Sequence, residues 1–548
     1  MAKRFVNETS TIVTEAVDGL LCSSPNLTRL DAFPDIKVVV RSDWDKDCGK
    51  VSVICGGGSG HEPAYAGFVG AGMLTAAVCG NVFASPSQDA VLAAIVATTG
   101  KAGCVLICMN YTGDRFCFGV AAARAKNEYG LDVKFVVVSD DVAIPDAKQP
   151  RGLGGTLFVV KIAGAAAEAK ESLEVVEKEA VAAASSVKSL GVSFSSCTKP
   201  GEKPAEERMA ENEMEVGLGI HGEPGYKRMQ IGSADEVAKL MAESILPHVD
   251  QKAELVLLIT NLGAVPPLET SVMANSMLKH IKAKFLVGPG SLITSLDMNG
   301  IQACLLQLSG NMEDRLLAPT PVRQWPGAVK PNMPKLLPLP LNPEPEKEQN
   351  PVRDESIDTK IKKVCEALIQ AEKELNDLDL KVGDGDCGST VRQGAEMVLA
   401  VLPQVSSSNP KKMLAAIGRQ LDKLGGSSGV LLSIMFTTMA GCVTPEDKWT
   451  VESMGPAFFE GVTTIMNVGG AQPGMRTMID VFHPVAEAVK KGTAEADLAK
   501  LAQDKADATA NIKSTNFGRA MYLNEESLSG FKDPGCVAAA IAIAALTS

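Results

Sequence analysis

Ten prolines fall within the 33 residues from Pro319 to Pro351, among them Pro338 and Pro340 flanking Leu339. Each proline fixes its own φ near −65° and removes a backbone donor, so neither a helix nor an interior strand runs through such a segment. The chain must fold as modules on either side of an extended spacer, and we place the boundaries at 1–330, 331–351 and 352–548. Extended chain of this kind spans about 3.1 Å per residue, tens of ångströms in all, enough for the second module to reach over a partner subunit.

The two sides carry different patterns. In the first, the β-branched runs Lys37–Val40, Val51–Ile54, Val105–Ile107 and Phe135–Val138 alternate with alanine-rich stretches at Asp89–Thr98 and Gly119–Lys126. Strands alternating with helices predict an α/β architecture around a buried, largely parallel sheet. Further strands at Glu254–Ile259 and Ala303–Leu308, beyond the polar segment Ser195–Glu213, predict a second lobe. After the spacer, Ile357, Ile361, Val364, Cys365, Leu368, Ile369, Leu375 and Leu378 recur at helical spacing, which predicts one amphipathic helix of about six turns. Helical patterns at 410–424, 430–439, 480–491 and 494–514, without β-alternation, predict an all-α module.

Composition narrows the function classes. Lys plus Arg number 53 and Asp plus Glu 65, a net charge of −12, so the positive field that phosphate-backbone binding needs is missing and nucleic acid is set aside. Thirteen cysteines without a CxxC pair suit reduced thiols and a cytoplasmic protein. The longest apolar stretch, Val537–Leu546, is about half a membrane span and predicts a buried C-terminal helix rather than a membrane segment. Fifty glycines against 3 Trp, 5 Tyr and 16 Phe direct attention to loops built from backbone rather than stacked rings.

Two of the five histidines lie inside glycine-rich loops, His61 in Gly56-Gly57-Gly58-Ser59-Gly60-His61-Glu62-Pro63 and His221 in Gly217-Leu218-Gly219-Ile220-His221-Gly222-Glu223-Pro224-Gly225. The first follows the strand Val51–Ile54, at the sheet edge where α/β proteins bind ligands. It lacks the lysine of a phosphate loop. The second formally satisfies GxGxxG, but Pro224 and Gly225 stand where the following helix should begin. Histidines stripped of bulky neighbours point to chemistry at the ring. Asp114, in Asn110-Tyr111-Thr112-Gly113-Asp114 after the strand at 105–108, is a candidate base, against the plainer reading of a helix cap for the segment starting near Gly119.

In the helical half, Asp379, Asp384 and Asp386 flank the glycine turn Gly383-Asp384-Gly385. Three carboxylates turned to one point repel unless a hard cation joins them, and an all-oxygen donor set favours Mg²⁺ over Zn²⁺. Calcium in an EF-hand is excluded because Thr390, not Glu, stands at the twelfth position from Asp379. The loops Gly425–Gly429 and Gly469–Met478, the latter with Arg476, add helix N-termini and a cation suited to a polyphosphate.

Taken together, GGGSGHEP, NYTGD, GLGIHGEPG, DGDCGST, GGSSG, PGMRTMID and DPG resemble, in order, the motifs of the ATP-dependent dihydroxyacetone kinases with fused K-type and L-type domains. The resemblance implies a two-lobed α/β substrate domain followed by an antiparallel helical barrel that binds the nucleotide. It implies that His221 holds the ketone as a covalent hemiaminal, that Gly58, Ser59, Gly60 and His61 bind substrate, and that Asp114 is the general base. It further implies that Asp379, Asp384 and Asp386 hold two Mg²⁺ ions with ATP. By the same resemblance Cys387, Gly388, Ser389, Thr390, Ser427, Ser428, Gly469, Met478, Arg519, Asp533, Pro534 and Gly535 contact the nucleotide, and the assembly is a homodimer with swapped domains. Glyceraldehyde is a second expected substrate.

The sequence departs from that pattern at Met109, where several relatives carry Lys, and at Ala520–Glu526. Two other classes remain open at this stage: a lyase that splits FAD to cyclic FMN with a divalent metal, and a non-enzymatic sensor.

Overall fold

The computed structural model describes residues 4–32, 35–203, 209–332, 334–340, 348–517 and 519–548, with Arg519 and Ala520 described by backbone alone. Two units separate at Lys335/Leu336. Within the proline run, Met333 and residues 341–347, including Pro343 and Pro345, lie outside the described residues.

After helix α1 (Ile12–Cys22), the N-terminal unit builds a first sheet from β1 (Leu27–Arg29), β2 (Val38–Arg41), β3 (Ser52–Ser59), β4 (Ala76–Val82), β5 (Cys104–Met109) and β6 (Val133–Val138). Their order is β1-β2-β4-β3-β5-β6, with β4, β3, β5 and β6 parallel and β1 and β2 antiparallel. Alternation along the strands sends Ile54, Val78, Leu106 and Cys108 to the face covered by α2 (Gln88–Thr98) and α3 (Thr112–Tyr129). Val53, Val105 and Ile107 face the opposite way, into a layer formed by α4 (Thr156–Glu168) and α5 (Leu173–Ser186). Helix α4 is apolar almost all round because it is buried between two sheets.

The second sheet comprises β7 (Val187–Ser193), β8 (Glu213–Val216), β9 (Lys227–Gln230), β10 (Leu255–Asn261), β11 (Ala283–Gly290), β12 (Gly300–Gln307) and β13 (Ala328–Val329), in the order β13-β11-β10-β12-β7-β8-β9. Val256, Leu258, Cys304 and Leu306 share the central core with the first sheet. Leu257, Ile259, Ala303 and Leu305 pack on the outer side with residues of α6 (Ala234–Ile245) and α7 (Pro267–His280). Among the described strands of this sheet, β10 and β11 pair in parallel and the other pairings are antiparallel. The expectation of a largely parallel sheet therefore holds for the core of the first sheet alone. Between β8 and β9 the connection is a loop without a crossover helix, and the chain returns antiparallel. A short helix, α8 (Met312–Leu317), packs on α4.

The helical unit contains α9 (Glu355–Gln370), α10 (Glu372–Val382), α11 (Cys387–Val401), α12 (Pro410–Asp422), α13 (Gly426–Cys442), α14 (Val451–Gly469), α15 (Ile479–Lys490), α16 (Glu495–Ala508), α17 (Glu525–Leu528) and α18 (Pro534–Thr547). Neighbour contacts run α9-α11-α12-α13-α14-α15-α16-α18 and back to α9, closing a ring. The single six-turn helix expected over 357–378 is two helices that meet at Ala371. The apolar spacing persists across the break because Leu368, Ala371, Leu375 and Leu378 all pack near Val537 and Ala538 of α18. Periodicity reports which residues are buried, not whether the axis is straight. Among the described residues no helix is long and apolar enough to cross a membrane. All thirteen cysteines are free thiols.

Candidate active site

Strand β3 does not stop at Ile54 as the sequence suggests but runs through the glycines to Ser59. A Cβ at Gly56 would lie 2.3 Å from the Val78 carbonyl oxygen, and one at Gly58 would lie 2.8 Å from the Ala84 amide nitrogen. Glycine here permits close approach of neighbouring backbone, not a flexible loop. At the strand's end Gly60 takes φ +101° and a Cβ would strike the Phe83 ring at 2.7 Å. The chain then turns and delivers His61, which is 6% exposed.

The second histidine loop connects β8 to β9, and no helix follows it. Leu218 and Ile220 are buried in the core, and His221, next in the chain, is only partly buried. Residues 294–296 clamp both loops. Leu296 donates its amide to the Gly60 carbonyl and Thr294 donates its own to that of His61, at 2.9 and 3.1 Å, while the Ser295 hydroxyl donates to the Ile220 carbonyl.

This clamp brings two rings 160 residues apart in sequence to an Nε2–Nε2 separation of 3.2 Å. His61 Nδ1 lies 2.8 Å from the Thr294 carbonyl oxygen, an acceptor only, so Nδ1 carries the proton and Nε2 the lone pair. Burial first, then the neighbouring His221, lowers the His61 pKa to about 4, which keeps the ring neutral. Phe83, at φ +55°, stacks on His61 at 5.1 Å, and Phe83 and Tyr111 meet His221 edge-on at 5.1 and 4.9 Å.

Asp114 lies within the first turn of α3, which begins at Thr112 rather than near Gly119. Its Oδ1 is buried without a hydrogen-bond partner. Burial raises its pKa against the opposing effects of Ser85 and His221, which makes the carboxylate a stronger base. The substituted position, Met109, is a buried residue at the end of β5 in the central core.

Sequence reasoning missed Glu223, Arg151, Phe83 and Thr294 as site residues. Glu223 was within reach, since it stands two residues from His221 in the same glycine motif. Its pKa, which burial alone would raise, is lowered to about 2, first by the hydrogen bond with His221.

In the helical unit one ligand oxygen from each of Asp379, Asp384 and Asp386 lies within 4.8 Å of the others. Asp379 is rigidly placed because its Oδ2 accepts from the amides of Gly385, Asp386 and Cys387 at 3.0, 3.0 and 3.1 Å. Its Oδ1 lies where a Cβ on Gly383 would be, 2.1 Å away, so glycine at 383 leaves room for that oxygen. Three convergent carboxylate oxygens with no nitrogen or sulfur among them fit a hard divalent ion. The Cys387 thiol, pushed up to about 12 by burial and then by Asp379, Asp533, Asp386 and Asp384, sits amid this negative charge.

Of the other residues expected at the nucleotide, Cys387, Gly388, Ser389 and Thr390 form the first turn of α11, next to the carboxylates in sequence, Ser427 and Ser428 that of α13 behind the left-handed Gly425, and Met478 is the N-cap of α15. Asp533 caps α18 through the Cys536 amide at 2.8 Å, followed by Pro534 and Gly535, whose Cβ would lie 4.0 Å from Met478. Gly469 ends α14 and would touch Leu431 of α13 at 3.3 Å. Ser389 is already engaged, its hydroxyl with Asn376 and Glu372. Arg519 begins a short 3₁₀ turn, and its side chain lies outside the described residues.

Comparison with known proteins places both units. Residues 18–324 match a Dak1 domain and residues 381–548 a DAK2 domain. The dihydroxyacetone kinase of Citrobacter freundii is 40% identical over 100% of this chain and 99% of its own. The human triokinase/FMN cyclase is 35% identical over 100% of this chain and 99% of its own. The crystal structure of the C. freundii kinase in complex with AMP-PNP and Mg²⁺ matches with a TM-score of 0.75 at 38% identity, covering 100% of this chain and 99% of that one. Carrying both domains in that order and matching such relatives from end to end, the chain belongs to the dihydroxyacetone kinase family.

Proposed function

We propose that the protein phosphorylates dihydroxyacetone with MgATP and that His221 holds the ketone covalently during transfer. The observation that carries this reading is the facing pair of ring nitrogens, His221 Nε2 and His61 Nε2, at 3.2 Å in a pocket with a neutral His61. The His221 Nε2 lone pair bonds to the carbonyl carbon, the carbonyl π pair moves to oxygen, and that oxygen takes a proton from solvent, giving a hemiaminal on a positively charged ring. Glycerol offers no such carbon, so selectivity is chemical. His61 Nε2 accepts from a substrate hydroxyl, and the unpartnered Asp114 Oδ1 accepts the proton of the hydroxyl that attacks the γ-phosphate.

Asp379, Asp384 and Asp386 are the residues that would hold Mg²⁺, which when bound supplies charge neutralisation to the polyphosphate. The helix N-termini at Cys387–Thr390 and Ser427–Ser428, together with Gly469, Met478, Arg519 and Asp533–Gly535, are assigned to the nucleotide. Glyceraldehyde, with a more reactive carbonyl, is a second substrate. Free thiols throughout suit a cytoplasmic setting. The test is ATP turnover on dihydroxyacetone, glyceraldehyde and glycerol: activity on the first two alone supports the reading, and equal activity on glycerol refutes it.

A second reading, FMN cyclisation, rests on the 35% identity to a human protein whose name carries both activities. Incubation with FAD and Mn²⁺ decides it by formation of cyclic FMN. We also infer a homodimer in which one chain's helical unit serves the other chain's histidine pocket. Mixing His221→Ala with Asp384→Ala chains restores activity under that arrangement and restores none if each chain serves itself.

A further inference from the structure

Behind the His221 ring, on the side away from His61, lies a group of charges that the mechanism above does not use. Glu223 Oε1 is 3.5 Å from His221 Nδ1, and Glu223 Oε2 accepts the backbone amide of His221 at 2.8 Å. The carboxylate therefore grips both the residue's main chain and its ring. Arg151 Nη1 stands 4.0 Å from Glu223 Oε1. Arg151 is itself fixed, Nε donating to the buried Asp141 Oδ2 at 2.7 Å and Nη2 to the Gly217 carbonyl at 2.6 Å, in the same loop as His221. Gly219 makes space for this grip, since a Cβ there would lie 1.9 Å from Glu223 Cδ.

We propose that Glu223, backed by Arg151 and Asp141, is the positioning residue that holds the proton on His221 Nδ1, so that Nε2 presents its lone pair to the substrate carbonyl; the His61 and His221 lone pairs that then face each other at 3.2 Å repel until substrate enters between them. The inference rests on the covalent reading of His221 and deepens it. When Nε2 bonds to carbon the ring becomes an imidazolium that keeps its Nδ1 proton. A carboxylate already in place on that side stabilises the charge as it forms, as a buried aspartate does behind the histidine of a serine-protease triad. Among the described residues, His61 meets the ring at Nε2, Tyr111 meets it edge-on at 4.9 Å, and the Asp114 carboxylate acts on it electrostatically. Outer residues of this kind typically change function by 10- to 100-fold or more.

The test compares wild type with Glu223→Ala, Glu223→Gln and Gly219→Ala in the full chain. Gly219→Ala moves only the end of a flexible side chain, so it displaces the carboxylate at little cost to folding. Two readouts are needed: steady-state kinetics, and the tautomer of His221 by ¹⁵N-histidine NMR, which five histidines make assignable by subtraction of a His221→Ala spectrum. The expected result is a fall in kcat/KM for dihydroxyacetone of about 100-fold in Glu223→Ala and about 10-fold in Gly219→Ala. KM for ATP stays unchanged, Glu223→Gln falls between, and the Nδ1–H signal gives way to a tautomer mixture in Glu223→Ala. Wild-type kinetics with an unchanged His221 signal in Glu223→Ala overturns the proposal while leaving the covalent reading intact. Full activity of His221→Ala on dihydroxyacetone overturns both.

Discussion

The two candidate centres solve opposite electrostatic problems. The histidine pocket is buried, its His61 ring is driven neutral, and it keeps an unpartnered polar atom in Asp114 Oδ1. The acidic loop of the helical unit leaves two of its three carboxylates exposed and fixes the third by backbone amides. The proposed carbonyl capture is helped by little competing water, and desolvation keeps the neighbouring His61 ring uncharged. A hydrated, hard cation needs carboxylate oxygens that leave room for its water, and the two exposed aspartates provide it. Each unit thus has the solvent environment its chemistry requires.

If the division is real, the two centres separate experimentally. Removal of divalent metal with EDTA should stop ATP turnover, by a thousandfold or so on the scale of lost transition-state electrostatics. Bound ketone should remain tetrahedral in the same sample. Loss of the adduct on chelation would contradict the division. A smaller contrast lies within the acidic loop. Asp379→Ala should lose activity and also about 1–3 kcal/mol of stability in the helical unit, because three amide donors lose their acceptor. Asp384→Ala, an exposed carboxylate, should lose activity with an unfolding midpoint near that of wild type. Denaturant unfolding of both variants checks this, and equal midpoints would show that Asp379 has no structural share.

A third contrast, read in pH rather than in activity, concerns His61. Its folded pKa, about 4, lies below its ordinary 6.5. Between those values the unfolded chain binds a proton that the folded chain refuses, so this contribution to stability is complete above about 6.5 and is lost as pH falls towards 4. In His61→Asn the stability–pH slope over that window should be shallower than in wild type. Identical slopes would mean that His61 is not held neutral by burial.

What was readable in the sequence follows the same contrast. Asp379, Asp384 and Asp386 stand within eight residues of each other, so a local motif announced their convergence. The histidine pocket was only half legible. His61 and His221 stood out against glycine, but their pairing depends on the clamp at Thr294–Leu296, which no local pattern reveals. Phe83 adopts a left-handed backbone that its residue type does not suggest. The full length of strand β3 is hidden in the sequence because glycine disfavours strands in general, whereas Gly56 and Gly58 are required by backbone approach at those two places. The antiparallel second sheet and the break at Ala371 escaped for a related reason: both are set by partners distant in sequence.

The most direct test of the account is the ¹³C NMR signal of [2-¹³C]dihydroxyacetone bound to the full chain. The account predicts that the ketone carbon moves from the carbonyl to the tetrahedral region on binding, with or without EDTA, and that the shifted signal is absent in His221→Ala. A bound ketone whose carbon stays in the carbonyl region, or a tetrahedral signal that survives His221→Ala, would contradict it.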